Sequence, residues 1–173
     1  ADDVAGHNHG TLTNGTTYAV GKVNQAFSFD GVNDGIAIPE ASTVDLSRIT
    51  VWTVLAWAKP SSFTNQSWPT IYAEGGTAGW GATLGLNRDT GKLESWINNA
   101  SPFVSTTSLV LNQWNQVVLV YDYPSGKRSF YINGAFVNAS DAPAILPNDT
   151  GAAIGDVPEA GRSSHFCGLI DEV

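Results

Sequence analysis

The chain predicts an all-β fold of two stacked antiparallel sheets, on three observations. Helix-period apolar patterns are absent, while period-two patterns recur about every dozen residues. Charged residues are scarce at 14%, while Gly, Ser, Thr, Asn and aromatics abound, as many short strands joined by tight turns require. Turn signals separate the patterns, and a single hairpin cannot bury its face, whereas about a dozen strands in two sheets can.

Residues 41–46 predict one helical turn capped by Ser42 or Thr43. Residues 50–58 form a near-continuous apolar run, expected as a strand buried on both faces. The Gly-rich stretch 68–81 reads as loop. Residues 81–86 turn through Arg88-Asp89-Thr90-Gly91 into residues 92–97, a hairpin with glycine in the left-handed position. Residues 117–121 turn through Tyr123-Pro124-Ser125-Gly126 into residues 128–132, and Asn133-Gly134 announces a further hairpin. Residues 139–150, rich in Ala, Pro, Asn and Asp, read as loop before a short strand at 152–155.

Five blocks carry a family resemblance. They are the decapeptide at 26–35 containing Phe29-Asp30-Gly31, Leu55-Ala56-Trp57-Ala58-Lys59-Pro60, the decapeptide at 113–122, Tyr131-Ile132-Asn133-Gly134, and the closing octapeptide at 166–173. In this order they resemble the laminin-G-like, concanavalin A-like lectin-glucanase domains of secreted and surface proteins, a group related to the pentraxins. The resemblance spans nearly the whole chain and implies a two-sheet antiparallel jelly-roll β-sandwich. It implies one domain over residues 1–173, excerpted from a longer polypeptide that is secreted or displayed on a cell surface. Relatives carry an apolar strand before the loop seen here as Asp3-Val4-Ala5-Gly6, and they continue beyond Asp171-Glu172-Val173. The closing strand is therefore expected to present an unpaired edge, a template for pairing with another chain. Because this fold hosts lectins, adhesion domains and enzymes alike, function has to come from sites.

Composition narrows those sites. The 173 residues suit one domain, and 8 Lys+Arg against 16 Asp+Glu give a net charge of −8. No basic cluster exceeds Lys127-Arg128, so nucleic acid is not an expected partner. No apolar run approaches the roughly 20 residues of a membrane span, so insertion is not expected either. The single cysteine, Cys167, cannot close an internal disulfide and reads as a small buried hydrophobe.

The resemblance brings Asp3, Asp30, Asp34 and Asp171 to one sandwich edge, as ligands of a structural calcium ion. Calcium takes about six to eight oxygens, which loop carboxylates and carbonyls supply. The competing reading is that these aspartates cap turns. His7-x-His9 has the alternation of two zinc ligands but no third His or Cys nearby.

Six tryptophans raise sugar stacking, in which an aromatic face meets the apolar face of a pyranose beside hydrogen-bonding side chains. Trp57 and Trp114 match family core positions. Trp96 alternates with Ile97 and shares a strand face with Glu94 and Asn98. Trp96, Trp80 and Trp68 are therefore the candidate platforms. Catalysis is not expected: glycosidases use two carboxyl groups about 5–9 Å apart, and the paired-carboxylate strand of the family's endoglucanases has no counterpart here. Asp171 and Glu172 are adjacent and point to opposite faces of a strand. Sequons begin at Asn14, Asn65, Asn138 and Asn148, which arises freely in so polar a chain.

The sequence therefore predicts a non-catalytic carbohydrate-binding module with a glycan as partner. The alternative is an adhesive domain contacting other domains of its polypeptide or other copies of itself.

Overall fold

The computed structural model describes residues 8–40, 45–64, 66–76, 79–98, 101–145, 150–158 and 164–173, and the side chain of Trp80 falls outside that description. Among the described residues fourteen strands make two antiparallel seven-stranded sheets packed face to face. The front sheet contains β1 (Thr11–Thr13), β4 (Gly35–Ile38), β6 (Thr70–Gly76), β7 (Gly79–Leu86), β8 (Lys92–Ser95), β9 (Phe103–Ser108) and β13 (Ala152–Ile154). Its spatial order is β1-β4-β13-β6-β7-β8-β9. The back sheet contains β2 (Thr17–Val20), β3 (Gln25–Asp30), β5 (Val51–Pro60), β10 (Asn115–Asp122), β11 (Lys127–Ile132), β12 (Ala135–Asp141) and β14 (Cys167–Asp171). Its order is β12-β11-β10-β5-β14-β3-β2.

The hairpins form where turn chemistry places them. Gly91 and Gly126 take φ of 64° and 69°, and Asn133-Gly134 takes 51° and 78° between β11 and β12. Positive φ at both central positions suits the twist of the flanking strands. Between the sheets Trp52 stacks on Tyr121 at 4.9 Å and Phe103 on Phe130 at 4.3 Å, while Phe29 meets Phe166 edge-on. These rings with Ile71, Leu84, Leu86, Leu93 and Ile97 fill the core.

Several expectations need correction. Strand β5 is buried on one face only: Trp52, Ala56 and Ala58 enter the core, while Val51, Thr53 and Leu55 are exposed. Trp57 and Trp114 are half-buried, not core residues, and the Lys22 ammonium lies over the Trp57 ring at 4.3 Å. Most of the Gly-rich stretch is strand, the pairing of β6 with β7, because glycine weakens a strand without forbidding it. Strand β12 reaches into the expected loop as far as Asp141. The helical turn is 3-10, Leu46–Arg48, with Asp45 as its cap; Ser42 and Thr43 lie outside the described residues. Cys167 is half-buried, its Sγ 3.2 Å from Ser61 Oγ.

The largest correction concerns β14. It is interior to the back sheet, bonded through Cys167–Ile170 to β3 and through Gly168–Asp171 to β5. The unpaired edge expected of the closing strand does not exist. Among the described strands the sheet edges are β1, β9, β12 and β2.

Candidate functional site

Alternation along β7 and β8 builds two faces from one stretch of sequence. Ala82, Leu84, Leu93 and Ile97 enter the core, while Thr83, Gly85, Glu94 and Trp96 turn to the outer face of the front sheet and line a shallow concavity there. Register places Thr70, Gly85 and Glu94 in one cross-strand row. Glycine at the centre of that row lets the Pro69 backbone lie against the strand, since a Cβ on Gly85 would stand 3.0 Å from the Pro69 carbonyl. Thr83 and Trp96 hold each other through a backbone bond of 3.0 Å and a bond of 3.0 Å from the Trp96 amide to Thr83 Oγ1.

Trp68 enters from the segment before β6. Thr70 Oγ1 donates to the Trp68 carbonyl at 3.0 Å, and the Thr70 amide donates to the Ser164 carbonyl at 2.9 Å. The structure thus brings two of the three candidate tryptophans together: Trp68 and Trp96 meet edge-to-face, centroids 6.1 Å apart and planes at 73°. Trp68 keeps 38% of its surface exposed. The backbone of Trp80 sits in β7, and its ring lies outside the described residues.

Two polar groups at this place have unused capacity. Glu94 is 6% exposed; its Oε1 accepts from Asn87 Nδ2 at 2.8 Å, and its Oε2 has no hydrogen-bond partner. The Ser164 hydroxyl is likewise buried without a partner. Buried polar groups are ordinarily satisfied, so such capacity marks a place for water or a ligand. Sequence reasoning placed Glu94 beside Trp96 but missed Thr70, Thr83 and Ser164. The signal for Thr83 was its phase, one residue out of step with Ala82 and Leu84; nothing local marks Ser164.

Of the proposed calcium ligands, Asp30 and Asp34 are neighbours, the Asp30 amide donating to the Asp34 carboxylate at 2.9 Å, while Asp171 stands apart. Cys167 pairs with Asp30 and Ile170 with Phe27, so Asp30 and Asp171 lie toward opposite ends of the β3–β14 ladder. At ~3.4 Å per residue they are separated by roughly 10 Å or more. Each carboxylate instead secures a turn. Asp34, 2% exposed, accepts from the amides of Gly15 at 2.8 Å and Asp30 at 2.9 Å. Asp171 accepts from the amides of Val23 and Glu172, and Asp30 from that of Val32. Asp3 and His7 lie outside the described residues, and His9 is exposed. Among the described residues no three His, Cys, Asp or Glu side chains stand together as a metal site, and no helix is long and apolar enough to cross a membrane.

The family described as the Concanavalin A-like lectin/glucanases superfamily matches residues 30–173. No curated protein sequence matches the chain significantly. Among solved structures it is similar to domain 4 of AbnA, a GH43 extracellular arabinanase from Geobacillus stearothermophilus, in complex with arabinotriose. That match has 21% identity and a TM-score of 0.73, covering 98% of this chain and 83% of that one. It is also similar to the binding domain of Paraclostridial Mosquitocidal Protein 1, with 12% identity and a TM-score of 0.77, covering 98% of this chain and 44% of that one. A Trypanosoma rangeli sialidase in complex with the inhibitor DANA matches with 15% identity and a TM-score of 0.61, covering 90% of this chain and 26% of the enzyme. At these identities the likeness carries the fold.

Proposed function

Because the chain belongs to the concanavalin A-like lectin/glucanases superfamily, a fold that serves many activities, we propose from its own concave face that it is a non-catalytic glycan-binding module. The observation that carries this reading is the Trp68–Trp96 pair beside Glu94, whose second oxygen is buried and unpartnered. Aromatic faces take the apolar face of a sugar, and a few fixed polar groups orient its hydroxyls. Glu94 is the one carboxylate among the described residues lining the concavity, and the common route of glycoside hydrolysis uses two. The arabinanase domain, in complex with arabinotriose, supports the same reading and an extracellular setting within a larger protein. The adhesive alternative drew its weight from an open β14 edge, and β14 is bonded on both sides.

Affinity electrophoresis through gels containing neutral polysaccharides tests the proposal. Retention is expected for the native domain and is expected to fall about tenfold in Trp68→Ala and Trp96→Ala, a loss of order 1.4 kcal/mol each. Retention unchanged in both variants, with folding verified by circular dichroism, would overturn it.

A further inference from the structure

We propose that the concavity takes one uncharged sugar ring at the end of a glycan chain, held in the corner between Trp68 and Trp96 with hydroxyls donating to Glu94. This rests on the glycan-binding reading and adds to it a substrate class and a mode of engagement.

The mode follows from the rings. An extended polysaccharide laid along a binding face meets aromatic platforms that are roughly coplanar, each under a different sugar. Trp68 and Trp96 stand at 73° with centroids only 6.1 Å apart. Two planes so close and so steeply inclined make a corner, which a single ring fills with its face on one indole and its edge on the other. Glu94 and Thr70, on either side of Gly85 in the cross-strand row, line the same concavity as the two rings.

The charge follows from Glu94. An ionised carboxylate only accepts hydrogen bonds, so a group bound to its free oxygen must donate. Sugar hydroxyls do so. A uronate, sialate or sulfate would set like charge against a 6% exposed carboxylate, where screening by water is weak. No Lys or Arg is among the described residues lining the concavity, and the net charge of −8 repels polyanions further. The Ser164 hydroxyl, buried and unpartnered, can accept from or donate to a hydroxyl and adds no charge. An amino sugar offers a cation to Glu94, but a buried ammonium needs several acceptors and the lining supplies one carboxylate.

Isothermal titration with neutral oligosaccharides of one to five units, arabino-, xylo-, gluco- and galacto-series, tests both parts. Polygalacturonate and chitosan fragments form the charged arms. Affinity for the best neutral series is expected to be reached within the first two units and to stay level thereafter. Glu94→Gln is expected to lose about tenfold or more, since hydrogen bonds to charged groups are the stronger ones, with unaltered melting. Trp68→Ala, at a half-exposed ring, keeps the test open should a variant at Trp96 fold poorly. Affinity that climbs with every added unit, or binding to polygalacturonate or chitosan above the neutral series, overturns this inference while leaving the glycan-binding reading intact. Binding to none of the probes, or binding indifferent to Trp68, overturns both.

Discussion

At the scale of single residues, carboxylates secure the loops of this sandwich, each accepting backbone amides. Asp-Gly and Asn-Asp sequences announce turns, and Asp30, Asp34 and Asp171 all accept turn or loop amides. Which turn each one meets depends on strand pairing across the chain, as when Asp171 reaches Val23. Glu74 was not legible at all. It lies 2% exposed in β6, its Oε1 accepting from the Leu46 amide at 2.8 Å and its Oε2 buried without a hydrogen-bond partner. Burial chiefly, with Asp45 and Glu40 adding to it, pushes its pKa from 4.5 up to about 8, against the opposing pull of the Leu46 amide. Asp45, by contrast, is held below the usual carboxylate range: hydrogen bonds from Ser47 and Arg48 outweigh its burial. At neutral pH Glu74 is thus neutral and Asp45 ionised. Tyr72 is raised as well, by burial and then by Glu74. Since the folded chain keeps a proton that the unfolded chain loses above its ordinary pKa, stability falls as pH climbs from about 4.5 to about 8. Glu74→Gln keeps an acceptor for Leu46 and cannot ionise. It is expected to flatten the dependence of melting temperature on pH across that window and to melt higher than the parent at about pH 9. A parent curve that is already flat there would contradict a neutral Glu74.

Elements were legible where their signal is local. The left-handed positions at Gly91, Gly126 and Asn133-Gly134 need particular residues, so those hairpins can be read from short stretches. Strand β6 could not be, because Glu74, Gly75 and Gly76 are poor strand residues made regular by neighbours on both sides, β13 and β7. The concavity shares that limit: the strand phase of Trp96 was readable, but Trp68 and Ser164 arrive from segments nearly a hundred residues apart. At Gly168 the tolerance between strands is narrow. Its φ is +134°, and a Cβ there would stand 2.3 Å from the Lys59 carbonyl of β5. Gly168→Ala must separate β14 from β5 or strain the backbone, an expected loss of roughly 2–3 kcal/mol. A denaturant titration reads it; an unchanged midpoint would show that the two strands have room to give.

For the whole molecule, the fold class and a closing strand beside early strands followed from period-two patterns and five ordered blocks, but pairings such as β4 with β13 and β5 with β10 did not, because those partners lie far apart in the chain. Strand β14 does lie beside early strands, closing the back sheet between β5 and β3. Removing residues 166–173 is expected to abolish cooperative thermal unfolding, since the cut divides one sheet into two and takes Phe166 and Ile170 from the core. A sharp transition surviving that deletion would mean that β3 and β5 can pair directly. The same placement has a consequence in time. During synthesis the ribosome delivers β3 and β5 first, and they must wait for more than a hundred further residues before the strand that joins them emerges. Through that interval the two facing edges stand open, and a second nascent chain on the same message offers the same missing strand. Slow elongation or crowded polysomes should therefore favour exchanged dimers, and a partner that holds the growing chain apart should favour monomers.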